Sequence, residues 1–146
     1  MEAQEWIICH GHPLVQGTHP TTFEVTTAAD LTTQGDCIIG VGADKGARDL
    51  DPVFRDLLAR DDAYLLTVLR AGPVSVEIHG RGSRELTLRH PADLVWRRSG
   101  FTCDRTVAIA ADCTARLLPR ELIRRLQRGD YLEVELRVTV PDGTVP

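Results

Sequence analysis

Lysine is almost missing from this chain: sixteen of its seventeen basic residues are Arg, and Lys45 is the exception. Aromatic residues make up 5%, with Trp6 and Trp96 the two tryptophans, so few rings are on hand for stacking the bases of a single-stranded nucleic acid. Apolar runs reach strand length and stop well short of the ~20 residues that a membrane-spanning helix requires. Met1 to Gln16 has no basic start followed by a long apolar stretch, so no leader segment is expected. No C-x-x-C pair occurs. Cys9, Cys37, Cys103 and Cys113 sit in or beside apolar segments, the pattern of small buried thiols in reducing surroundings rather than of disulfides or zinc. H-E-x-x-H, a histidine pair at helical spacing and a nucleophile elbow are absent, and Gly40-Val41-Gly42-Ala43-Asp44-Lys45 lacks the spacing of a phosphate loop. These absences point to a cytoplasmic protein with no membrane segment.

What is present is a chain of 146 residues, 42% hydrophobic and 26% charged, with a net charge of -4. That is enough to bury a real core, and the length fits one domain over 1–146. The net charge speaks against a surface that coats nucleic acid. From Arg97 to Arg128, however, eight arginines meet only Asp104, Asp112 and Glu121. The excess is either a local anion-binding face or an ordinary solvated one in an arginine-rich composition.

The chain repeats itself. With a constant offset of 68, residues 35–70 laid on 103–138 are identical at nine of thirty-six positions, among them Asp36/Asp104, Ala43/Ala111, Asp44/Asp112, Arg48/Arg116, Leu58/Leu126 and Asp62/Asp130. Upstream, His10-Gly11 matches His79-Gly80 and His19-Pro20 matches His90-Pro91 at slightly different offsets. Two repeats result, about 5–71 and 74–140, followed by a tail at 141–146. Residues in both copies serve the fold first, and polar residues confined to one copy are candidates for a site.

Period-2 alternation is clearest at Leu132, Val134, Leu136, Val138 and Val140, whose intervening neighbours are polar; this predicts a strand with one dry face. The gapless repeat gives Tyr64, Leu66 and Val68 the inward parity and leaves Leu65, Thr67 and Leu69 outward, so the first-copy strand is expected to be covered on both faces or to lie at a subunit contact through Leu65 and Leu69. Further strands are read at 6–12, 21–26, 37–43, 74–79, 85–89, 94–97 and 105–111, with turns at 70–73 and 81–84, for about ten in all. Asp51-Pro52 opens one helix as N-cap and first residue. Pro119 precedes a second, with Leu122, Ile123 and Leu126 on one face and Gly129 as the stop. Gly40 and Gly42 opposite Ile39 and Val41 imply close approach by another element. Asp44 and Asp112 read as caps or turn-formers with Arg48 and Arg116 as partners. The expected fold class is a β-rich α+β domain of two similar halves, each of several strands and one helix, packed with pseudo-twofold symmetry as sandwich- or barrel-like sheets.

Comparing the copies leaves His12 where the second has Arg81, Thr22 for Asp93, Glu24 for Val95 and Cys37 for Arg105. His12, His19, Glu24, Asp36 and Cys37 form a candidate catalytic set, with Thr22 and Arg105 as ligand-binding residues. Imidazole and carboxylate move protons near neutral pH or hold a divalent metal, and a thiolate beside a histidine is a nucleophile. The competing reading has the histidines and Thr18, Thr21 and Thr22 satisfying turn hydrogen bonds around Pro13 and Pro20.

Gly11-His12-Pro13, then Thr18-His19-x-Thr21-Thr22-Phe23-Glu24-Val25-Thr26, then Leu31-Thr32-x-x-Gly35-Asp36-Cys37-Ile38-Ile39-Gly40-Val41-x-Ala43-Asp44-Lys45, with Cys103-x-Arg105-Thr106 and Ala111-Asp112, resembles the archaeal family called domain of unknown function 371 over nearly the whole chain. The resemblance implies an archaeal cytoplasmic origin and a β-rich duplicated fold, and brings no activity. The chain departs from the family pattern at Leu14, where Asn commonly follows His-Pro, and at Cys113, where Lys is common. Three functions follow as expectations: a small-ligand or metal-binding domain or enzyme using the polar cluster; a nucleic-acid module in which Arg97, Arg98, Arg120, Arg124 and Arg128 contact phosphates; and a homo-oligomeric assembly protein.

Overall fold

The computed structural model describes residues 1–32 and 34–141; the expected tail lies outside them beyond residue 141. Eight strands form two four-stranded sheets. The first sheet runs β1 (Glu2–His10), β8 (Tyr131–Thr139), β4 (Tyr64–Ala71), β5 (Val74–Arg81), all antiparallel. The second runs β3 (Ile38–Gly40), β2 (Thr22–Thr26), β6 (Asp93–Arg97), β7 (Thr106–Ala108), with an antiparallel centre and parallel edges. Neither sheet closes into a barrel. Two short helices, α1 (Pro52–Leu58) and α2 (Arg120–Gln127), each follow a 3-10 turn, at Ala47–Asp49 and Ala115–Leu117. No helix among the described residues is long and apolar enough to cross a membrane.

Each sheet contributes its alternate residues to one core. Ile7 and Cys9 of β1, Leu132, Val134, Leu136 and Val138 of β8, and Leu65 and Leu69 of β4 meet Phe23, Val25, Leu94 and Trp96 of the second sheet. Phe23 lies opposite Trp96, and their rings stack with centroids 4.7 Å apart. The indole N–H of Trp96 crosses the core to the Thr67 hydroxyl at 2.9 Å, so the largest buried ring carries its polar atom to a partner in the other sheet.

The helices begin as read. Asp51 accepts hydrogen bonds from Val53 and Phe54 N–H and Pro52 follows it, while Gly129 takes φ +84° just after α2. Gly40 and Gly42 admit the expected close neighbours: a Cβ on Gly40 would stand 2.5 Å from Cys9 Sγ, and Gly42, at φ +61°, lies under the His10 ring.

Four expectations change. Among the described residues eight strands stand where about ten were expected: 85–89 forms no strand and Arg81-Gly82-Ser83-Arg84 is no hairpin tip, and Leu88 turns at φ +53° into the core instead. In β4, Leu65, Thr67, Leu69 and Ala71 point inward and Leu66, Val68 and Arg70 outward. The link from Leu58 to β4 is one residue longer than the link from Leu126 to β8, so Ala63 and Asp130 occupy like places, their carbonyls accepting from Gly82 and Gly11 respectively. The gapless pairing therefore slips by one residue, and a slip of one exchanges the faces of a strand. Leu65 and Leu69 are core residues, 2% and 0% exposed, which removes the ground for a subunit contact through them. Finally, Asp44 and Asp112 hold backbone rather than arginine: their Oδ1 atoms accept from Ile8 N–H at 3.0 Å and His79 N–H at 2.9 Å.

Candidate functional site

The register of β2 on β6 places Thr22 opposite Arg97, Glu24 opposite Val95 and Thr26 opposite Asp93. Because Phe23 and Trp96 take the core face, these residues share the other face. Cys37 enters immediately before β3 and Arg105 immediately before β7; their carbonyls accept from Glu24 N–H and Val95 N–H. The parallel edge strands thereby bring a thiol and a guanidinium to either side of the central pair.

Arg105 organises the cluster. Its Nη1 donates to Glu24 Oε1 at 3.2 Å and to Asp93 Oδ2 at 3.3 Å. Asp93 also accepts from the Thr26 hydroxyl at 2.7 Å, and His90 Nε2 stands 3.8 Å from its other oxygen. Glu24 has a side chain only 6% exposed. Burial, reinforced by the charge of Asp93 and opposed by Arg105 and Arg97, raises its pKa to about 7. A carboxyl with that ionisation is available in both protonation states near neutral pH.

Cys37 lies beside it, hydrogen-bonded to the Thr22 hydroxyl. Burial and the nearby Glu24 push its thiol up to about 11, so at neutral pH it is a protonated thiol. Cys9 and Cys113 are buried as expected, whereas Cys37 and Cys103 are half-exposed; all four are free.

His19 borders the cluster as a turn brace. Its Nδ1 accepts from Thr21 and Thr22 N–H, each at 3.2 Å, and contacts the Thr22 hydroxyl at 3.1 Å. His90 does the same for Ala92 and Asp93 N–H, so His19 and His90 serve the fold at Nδ1, and His90 Nε2 faces Asp93. Asp36 contributes its carbonyl, which accepts from Thr18 and His19 N–H. His12 turns into its own loop, where Nδ1 accepts from Leu14 N–H at 3.0 Å; among the described residues no hydrogen bond or ion pair joins it to Glu24, Asp36 or Cys37. Its presumed counterpart also changes. Arg81 makes with Ile109 the bridge that His10 makes with Val41, so in its pairing Arg81 matches His10 and not His12. No three His, Cys, Asp or Glu side chains among the described residues stand together as a metal ion needs.

Asp93, Arg97 and Cys103 belong to the cluster and escaped the comparison of copies, which looked for polar residues peculiar to the first half. Period-2 parity in β6 would have placed Asp93 and Arg97 on the face of Glu24. Of the arginines assigned to phosphate, Arg97 is committed to Thr106 and Cys103. Arg120 is committed to the carbonyls of Gly17, Ala115, Arg116 and Leu118. Two surface concavities lie away from the cluster, one along Glu121, Arg124, Gln127 and Arg128 and one beside Tyr64, His79 and Asp112.

Lys45 donates to Glu5 Oε1 at 2.6 Å.

Fold and face together define a β-rich α+β protein carrying on its second sheet a buried carboxyl paired with a half-exposed guanidinium. Residues 7–139 match the family described as Domain of unknown function (DUF371), and the chain belongs to that family. Over 129 residues it is 37% identical to an uncharacterized protein of Methanocaldococcus jannaschii, an alignment covering 88% of this chain and 95% of that relative.

Proposed function

We propose that the face of β2 and β6 around Glu24 is a binding site for a small polar ligand at which Glu24 takes or gives a proton, in a cytoplasmic acid–base enzyme. The observation that carries this is the ionisation of a nearly buried carboxyl at about 7 between Arg105 and Asp93, at a strand position where its cross-strand partner is Val95. A fold that tolerates Val in one half has no structural need of Glu in the other. In this reading Arg105 binds and orients, Thr22 and Cys37 supply neutral donors, and His19 and Asp36 hold the approach loop; His12 lies outside the reacting group.

The same reading takes the chain as one domain made by internal duplication about a pseudo-twofold axis. Its support is the reciprocity of bonds across the halves: Arg48 N–H donates to His90 O and Arg116 N–H to His19 O. Gly11 packs on the backbone of Leu126 and Gly82 on that of Leu58. Left-handed backbone recurs at Gly17 and Leu88 and at Gly42 and Ala110. The strand orders β1-β8-β4-β5 and β3-β2-β6-β7 each keep their sense when the halves are exchanged. The Glu24–Val95 pair sits at the midpoint of β2 and β6, where such an axis would pass.

The test is a thermal-shift screen of small polar metabolites against the native protein, Glu24→Gln and Arg105→Gln. Ligands that stabilise the native protein and lose their effect in both variants are expected. Ligands that stabilise all three alike overturn the reading.

A further inference from the structure

Two guanidinium groups converge on one thiol at the edge of the Glu24 cluster. Arg97 donates from Nη2 to Cys103 Sγ at 3.3 Å and from Nε to the buried Thr106 hydroxyl at 2.9 Å. Its guanidinium also lies over the Phe101 ring, 4.9 Å from the centroid. The Thr106 hydroxyl accepts in turn from Cys103 N–H at 3.0 Å. Arg105 also interacts with the sulfur through its backbone N–H and its guanidinium, while its Nη1 holds Glu24 and Asp93. Arg105 thus stands between the thiol and the carboxyl. The turn itself needs none of this. In the first half the turn bond from Thr106 N–H to Cys103 O is made by Ile38 N–H to Gly35 O, without thiol, hydroxyl or arginine.

We infer that Cys103 is the nucleophile of this site, and that Arg97 and Arg105 give it a preference for small electrophiles carrying a negative charge. The inference rests on the reading of this face as a ligand site. In the step, the thiolate forms an S–C bond to the electrophilic carbon, and the bond from that carbon to its leaving group breaks. The leaving group departs with the electron pair and takes a proton from the Glu24 carboxyl where it requires one; nothing is oxidised or reduced. Burial alone would raise the Cys103 thiol, but the Arg105 N–H, the Thr106 hydroxyl and Arg97 together bring it down to about 7. Cys37, at about 11, is the internal control.

The whole protein is alkylated at about pH 7.5, within reach of the low-pKa thiol, with iodoacetate and separately with iodoacetamide. Adducts are located by peptide mass spectrometry, and rates are compared with those of N-acetylcysteine. In the anionic reagent the new S–C bond replaces C–I and iodide leaves. The first adduct is expected on Cys103, with Cys37 lagging, and with an iodoacetate-to-iodoacetamide rate ratio about tenfold above that of N-acetylcysteine. That excess is expected to fall towards the free-thiol ratio in about 0.5 M salt and in Arg97→Gln; if that variant does not fold, the salt series on the native protein decides. A ratio equal to that of the free thiol at low salt, or Cys37 reacting first, overturns the inference. Alkylation reads the thiol alone, so its failure is told apart from failure of the Glu24 reading, which the metabolite screen reports.

Discussion

Replacing Glu24 by Gln keeps an oxygen for Arg105 and removes the ionisation. In the folded protein this carboxyl titrates at about 7, against 4.5 for the exposed group, because burial and Asp93 disfavour the charge. The folded state therefore holds the proton more tightly than the unfolded one. The resulting contribution to stability is fully present below about 4.5 and is lost as pH rises through about 7. A shift of this size corresponds to about 3 kcal/mol, with little solvent screening because the side chain is 6% exposed. Relaxation and the half-exposed Arg105 reduce it, so Glu24→Gln is expected to match the native protein in stability below about pH 4 and to exceed it near pH 8 by about 1–3 kcal/mol. Urea denaturation of both proteins across that range isolates the effect, since every other titrating group is common to the two. Parallel profiles, or a variant that loses stability with rising pH relative to the native protein, would refute the reasoning.

Two buried threonines should respond in opposite ways to the same isosteric change. Thr67→Val deprives the Trp96 indole of its acceptor and is expected to cost about 1–3 kcal/mol. Thr114→Val removes a hydroxyl that is fully buried with no hydrogen-bond partner among the described residues and is expected to be neutral or to gain about 1 kcal/mol; equal losses in urea melts would contradict both. Ala110 adopts φ +50°, so Ala110→Gly relieves roughly 1–2 kcal/mol of left-handed strain against a smaller entropic cost, and calorimetry should register no fall in Tm. Gly46→Ala drives a Cβ into the backbone carbonyl of Pro91, and a loss of about 2 kcal/mol or more is expected in the same melts.

Much of the fold is legible along the chain because its signals are local. The alternation in β8, the Asp51-Pro52 helix start and the Gly129 stop each state their geometry within a few residues. What fails is register. One extra residue between Leu58 and β4 reverses the faces of β4, and the offset that matches β1 to β5 must be read from the bridges at Val41 and Ile109, which are remote in sequence. Leu86 and Leu88 alternate like a strand, yet Leu88 is a buried residue in the left-handed conformation that Gly17 adopts in the other half. The candidate site divides the same way. Comparison of copies reached Glu24, Thr22, Cys37 and Arg105, which do converge. It added His12, whose loop leads elsewhere, and passed over Asp93, Arg97 and Cys103, whose membership depends on the pairing of β2 with β6 and on the loop that carries the thiol.

The central claim concerns a single proton. Carbon-13 NMR of the glutamate side-chain carboxyls, with the Glu24 signal identified by its absence in Glu24→Gln, follows that proton directly. A midpoint near 7 is predicted from the burial of Glu24 beside Asp93; a midpoint near the ordinary 4.5 would contradict the account.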